Sequence, residues 1–166
     1  MGQRRKVTIS QFVGLVQRLP ADLQHAAVIA SRRAAERLKG YVVEEISENE
    51  PYPVVDRGIM RNSVGVIYLK TGAFVTMGAP YAAMMEGGTR PFTPPIEPLI
   101  AWATRKGATD PVAMAWAVRR SIQQHGIAPK RYFSRALRRW KKNRVLDSEI
   151  RKSLKKMAAE RARGSR

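Results

Sequence analysis

Glu86-Gly87-Gly88-Thr89 is where side-chain chemistry and backbone freedom coincide in this chain, with an ionisable carboxylate, two glycines and a hydroxyl in four residues. A carboxylate can serve as a general base, but proton transfer needs partners that orient or share the proton. No His, Cys or second acid lies nearby in sequence, so a catalytic role for Glu86 is disfavoured and no catalytic residue is expected. The structural alternative is that the carboxylate accepts hydrogen bonds from its own turn while Thr89 caps nearby amides, and Gly87-Gly88 reverses the chain with positive φ. A buried Glu86 needs such partners or an arginine, for which Arg61 and Arg90 are candidates.

Other reactive groups are sparse. The only histidines, His25 and His125, stand alone in predicted helices, and no ligand spacing accompanies either, so neither a metal nor another cofactor is expected. Cysteine is absent, which removes disulfides, thiolate nucleophiles and thiolate metal sites together. Arg4, Arg5 and Lys6 precede an apolar run, but Gln11, Gln17, Arg18 and Pro20 interrupt it, so secretion is disfavoured. No apolar run approaches the roughly 20 residues of a spanning helix, and no membrane contact is expected.

The elements that must position these groups can be read from periodicity. Ile9, Phe12, Val13, Val16 and Leu19 predict a short amphipathic helix behind Thr8 or Ser10. Pro20 stops it and opens a second helix with the stripe Leu23, Ala27, Ala30, Ala34, Leu38, Tyr41 and Glu45, whose alanines allow close approach. Its Arg32, Arg33, Arg37 and Lys39 form a solvated basic back on the favoured reading; the alternative is an interface helix between subunits. A loop from Ser47 to Gly58 precedes two short strands, Val64 to Leu69 and Ala73 to Met77, joined as a hairpin through Lys70-Thr71-Gly72. Tyr81 to Glu86 predicts one helical turn. Pro91, Pro94, Pro95 and Pro98 hold an extended link, which is favoured over a PxxP-like ligand.

Two short helices follow, each with proline at its start and glycine at its stop. The first runs from Pro98 through Trp102 to Arg105-Lys106-Gly107. The second is capped by Asp110, opened by Pro111, striped by Met114, Val118, Ser121 and Ile122, and closed by Gly126. Together they predict a helical hairpin.

Charge is unevenly placed. The net +18 over 166 residues sits mostly in residues 127–166, where fifteen lysines and arginines face Asp147, Glu149 and Glu160 alone. Phe133, Ala136, Leu137 and Trp140 form one apolar stripe there, and Leu146, Ile150, Leu154 and Met157 another, predicting a long helix bent between Asn143 and Asp147. Around them stand Arg135, Arg138, Arg139, Lys141, Lys142, Arg151, Lys152, Lys155 and Lys156, which are the candidate contacts for DNA phosphates or an acidic partner; a plain solvated face is the alternative. No motif for sequence-specific reading is present. The fold class expected is α+β, helix-rich, with a small antiparallel sheet and a long basic C-terminal helix. Residues 1–140 form the α+β domain and residues 141–166 a basic helical extension.

Three segments also resemble one known family. Val55-Asp56-Arg57-Gly58-Ile59-Met60-Arg61-Asn62-Ser63-Val64 matches an Asp-x-Gly-x-hydrophobic-Arg-x-Ser entry into a sheet. Tyr81, Glu86, Gly88, Thr89 and Pro91 match a Tyr-Ala…Glu-x-Gly-Thr-(Arg)-Pro turn followed by a Pro-x-x-Pro link and a Trp-containing helix. Gly126-Ile-Ala-Pro129 with Phe133, Ala136 and Leu137 matches a late Gly…Pro-x-x-Phe-Phe-x-x-Ala-Leu. In this order they resemble the tail-component or neck-protein family of long-tailed bacteriophages, named after gene product ten of a lambdoid phage. The resemblance implies a structural virion protein at the neck or head-proximal tail end, assembled in the host cytoplasm. It implies a homo-oligomeric ring, sixfold in preference to twelvefold, that meets other neck, head-closure or tail-tube proteins and packaged DNA. Without the resemblance, composition stops at a basic globular protein; the alternative reading is a monomeric or dimeric non-specific DNA-binding protein using the basic C-terminal helix.

Overall fold

Alanine-rich sequence behind Pro20 starts the longest helix of this protein. The structure, a computed structural model, describes residues 20–48 and 58–164. The helix expected over Ile9 to Leu19, most of the 47–58 loop and Asp56 lie outside the described residues.

Helix α1 spans Ala21–Ser47 and runs through Gly40 without a break. Its buried face is Ala26, Ala30, Ala34, Ala35, Val42 and Ile46, rotated from the predicted stripe, of which only Ala30 and Ala34 are fully buried. Leu23, Ala27, Leu38, Tyr41 and Glu45 flank that face at intermediate exposure. Gly58, at φ 69°, opens the single turn α2, Ile59–Asn62, and Ser63 returns a hydroxyl hydrogen bond to the Met60 carbonyl at 2.8 Å. Strands β1, Val64–Leu69, and β2, Gly72–Met77, then pair as a two-stranded sheet.

Helix α3 is Ala82–Gly87, α4 is Ile96–Arg105 and α5 is Pro111–His125, with α4 and α5 packed on each other. The Asp110 carboxylate accepts from the Ala113 amide at 2.9 Å, the capping bond that its position before Pro111 predicts. On α5 the buried position is Ala115, with Met114, Val118 and Ile122 beside it, and Ser121 faces solvent. Helices α6, Tyr132–Lys142, and α7, Val145–Gly164, complete the order.

The long C-terminal helix expected with a bend is two helices. The chain breaks at Asn143-Arg144, where Arg144 takes φ 47°, so the i to i−4 ladder cannot run through. The fold is helix-rich α+β, with the basic 20-residue α7 at its end. Contacts divide the chain into two compact units. Of the described residues, one comprises 20–39, Val66–Val75 and 139–164; the other comprises 40–48, 58–65 and Thr76–Arg138.

Within the first unit, the alanines of α1 admit the Trp140 indole, whose Nε1 donates to the Ala34 carbonyl at 2.9 Å. The burial of α7 is unlike the stripe expected. Val145, Glu149 and Ser153 are its buried residues, whereas Leu146, Ile150 and Met157 are half-buried and Leu154 is exposed. Glu149 tolerates burial because Arg37 and Lys152 both reach its Oε1, at 3.3 and 3.0 Å.

Candidate functional site

Two segments, Glu86 to Thr89 and Ile127 to Ser134, bond to each other across 38 to 48 residues of sequence in the second unit. The last carbonyls of α3, which an isolated helix leaves unpaired, accept amides from the chain entering α6: Lys130 donates to Met85 at 2.8 Å and Arg131 to Glu86 at 3.3 Å. One step further, Thr89 and Ile127 clasp each other. The Thr89 amide donates to the Ile127 carbonyl and the Ile127 amide to the Thr89 hydroxyl, both at 2.9 Å.

Glu86 crosses the same junction. One carboxylate oxygen accepts the Phe133 amide at 2.9 Å, and the other accepts the Ser134 amide at 2.9 Å and the Ser134 hydroxyl at 2.6 Å. These are unpaired amides at the N-terminus of α6, where a negative charge is also favoured by the helix dipole. The partners expected from sequence, its own turn or Arg61 or Arg90, are therefore replaced by a helix that begins almost fifty residues later. Glu86 is a helix cap, and its oxygens are engaged in capping.

Glycine is required at two points of this junction. Gly88 has φ 75°, and a Cβ there would lie 2.6 Å from the Ile127 carbonyl oxygen and 3.0 Å from Pro129. Gly126 has φ 71°, and a Cβ there would overlap the Thr89 carbonyl oxygen. Gly87, by contrast, ends α3 with nothing within 4 Å of its Cβ direction and no positive φ. The reversal expected from Gly87-Gly88 is made by Gly88 alone. Arg131, a non-glycine at φ 55°, turns the chain into α6.

Of the nine basic residues expected to face DNA or an acidic partner, three are engaged internally. Arg135 is half-buried against Glu45 at 2.8 Å, Lys152 is on Glu149, and Lys156 lies 3.7 Å from Glu160. Arg138, Lys141, Lys142, Arg151 and Lys155 are exposed and make no ion pair among the described residues. Arg139 is exposed as well, with a partner interaction of its own. Arg135 is thus a fold contact, while the five free cations remain available for an anionic neighbour.

Sequence reading missed how α1 takes part. Arg32 donates to the Leu69 carbonyl at 3.0 Å, and the Tyr68 hydroxyl donates to Glu36, which joins the hairpin tip to α1 inside the first unit. The i, i+4 spacing of Arg32 and Glu36 on α1 was the available signal; the approach of Tyr68 had none.

Tyr81 is half-buried and Pro91 exposed beside this junction. His25 and His125 are both exposed, and among the described residues no three His, Cys, Asp or Glu side chains are grouped to hold a metal. No described helix is long and apolar enough to cross a membrane. Comparison with protein-family models, curated proteins and solved structures finds no match.

Proposed function

We propose that this chain is a structural, non-enzymatic protein of a phage virion, acting at the neck or head-proximal tail end in tail completion or head-tail joining as one subunit of a ring. The observation that carries the proposal is the junction of α3 with α6. Two sequence segments that resemble the neck family, Glu86 to Thr89 and Gly126 to Ser134, are the ones that bond to each other. Their meeting in the fold supports reading the separate segments as parts of one architecture. The use of Glu86 as a cap also accounts for an isolated carboxylate beside glycines without invoking turnover.

The mass of the purified full chain, alone and mixed with candidate tail-tube or head-closure proteins, tests it. A discrete ring, of six subunits in the favoured case, or a stoichiometric complex with such a partner is expected. A monomer that ignores these proteins would remove the proposal.

A second reading is favoured by Arg138, Lys141, Lys142, Arg151 and Lys155, which are exposed without ion-pair partners. On it the chain is a non-specific DNA-binding protein whose affinity comes from phosphate neutralisation. Tight duplex binding by a monomer distinguishes it from the first.

A further inference from the structure

Cations from two helices converge on one open cavity of about 440 Å³ in the first unit. Arg32, Arg33 and Arg37 come from α1 and Lys152 from α7. Four like charges so close together repel unless something holds them. Glu149, only 4% exposed, does so from the floor, with Arg37 and Lys152 meeting on one of its oxygens. The cavity's other carboxylate, Glu36, is occupied by the Tyr68 hydroxyl. Arg32 is fixed from two sides: it donates to Leu69, and its guanidinium carbon lies 5.7 Å from the centroid of the Tyr68 ring.

Donors remain after these bonds are counted. The exposed Arg33 makes no ion pair among the described residues. Arg37 and Lys152 are each about half exposed, so their remaining N–H groups are accessible. Four cations against two engaged carboxylates leave a positive excess, and three of the four side chains, Arg32, Arg37 and Lys152, are already held in place. Pre-oriented guanidinium groups match the oxygens of a phosphate, and little side-chain entropy is left to lose on binding.

We propose that this cavity binds a backbone phosphate of duplex DNA, with Arg33 and the free N–H groups of Arg37 and Lys152 as donors, Arg32 adding positive charge beside them, and Glu149 as the positioning residue that holds two of the donors. The site uses α1 arginines outside the C-terminal basic set, and it goes beyond the virion proposal. It is measured as DNA binding by the purified chain, so it stands or fails independently of ring formation.

Fluorescence anisotropy with a short labelled duplex DNA and the full chain provides the test. Arg33→Gln should weaken binding about tenfold, as expected for loss of a charge-assisted contact. Lys106→Gln, which removes an equal charge from an exposed site in the second unit, should change it by about twofold or less. Glu149→Gln separates a built site from bulk charge. It removes a negative charge, so bulk electrostatics require tighter binding, whereas release of Arg37 and Lys152 from their anchor should weaken it severalfold. Circular dichroism confirms that each variant folds, and the exposed Arg33 variant carries the test should Glu149→Gln unfold.

Equal losses for Arg33→Gln and Lys106→Gln, tighter binding by folded Glu149→Gln, or no duplex binding by the wild type would each overturn the proposal. Inorganic phosphate should compete only weakly. Saturation by inorganic phosphate at concentrations as low as those of duplex, with the same sensitivity to Arg33→Gln, would assign the cavity to free phosphate and overturn its assignment to DNA.

Discussion

The Glu86 carboxylate accepts the backbone amide of Phe133 at 2.9 Å and so places the end of α3 against the start of α6. It replaces water as the partner of amides that α6 cannot satisfy internally. Glu86→Ala should therefore lower stability by about 1–2 kcal/mol, the range for loss of a helix cap. Glu86→Gln should cost less than this while still weakening the cap, because an amide nitrogen would face donors. Urea unfolding of both variants checks the magnitude. Loss of an associated hydrolase or nuclease activity in Glu86→Gln, with stability unchanged, would reverse the assignment of Glu86 as a cap.

Gly88→Val should be more damaging. Positive φ and a backbone carbonyl at 2.6 Å from the added Cβ act together, and the obstructing atom is not a flexible side chain. A loss of more than about 2 kcal/mol is expected. Gly126→Ala should behave in the same way, whereas Gly87→Ala, with open space and no positive φ, should be tolerated. Equal melting temperatures for the Gly88 and Gly87 variants would show that the junction is not strained as described.

Gly40 lies in the interior of α1 with nothing within 4 Å of its Cβ direction. Gly40→Ala should stabilise the isolated chain by about 0.5–1 kcal/mol through helix propensity. If α1 is an interface helix between subunits, the same substitution should impair oligomerisation while raising the melting temperature. Sedimentation and thermal unfolding of one variant thus separate the two readings of this helix.

The exposed cations of α6 and α7 predict salt-sensitive association. Reversing Lys141, Lys142, Lys155 and Lys156 to Glu should spare the fold, because all four side chains are exposed. It should also weaken partner or duplex binding. In the wild type, affinity should fall steeply with added salt as counterion release loses its advantage. Normal assembly by the reversed variant, with affinity indifferent to salt, would leave this surface merely solvated.

Tyr68 should ionise late. Its hydrogen bond to Glu36 raises the hydroxyl pKa above the usual 10.0, with lesser help from desolvation and the Glu36 charge and against a lowering by Arg32. A pKa raised in the folded state means that the bond contributes fully below pH 10.0 and is lost as pH rises through the folded value. Since Tyr68 is exposed, the effect on stability is screened and small. Alkaline ultraviolet titration should lose a late tyrosine phase in Tyr68→Phe. An unchanged titration curve would remove the Tyr68–Glu36 contact from solution.

Local chemistry made much of the fold legible in the chain. Asp110-Pro111 and Gly126 bound α5 because capping, fixed φ and positive φ are properties of those residues themselves. The hairpin and the turn before Gly88 were readable for the same reason. Tertiary structure decided what the short-range signals could not. The partner of Glu86 is an amide 47 residues away, and nothing local to Glu86 distinguishes that helix start from any other. The buried face of α7 passes through Glu149 and Ser153 rather than Leu154, because the cations Arg37 and Lys152 make a carboxylate tolerable there. Hydrophobic periodicity cannot register a compensating charge on another helix, so the convergence of α1 and α7 on one basic cavity existed only once the chain had folded.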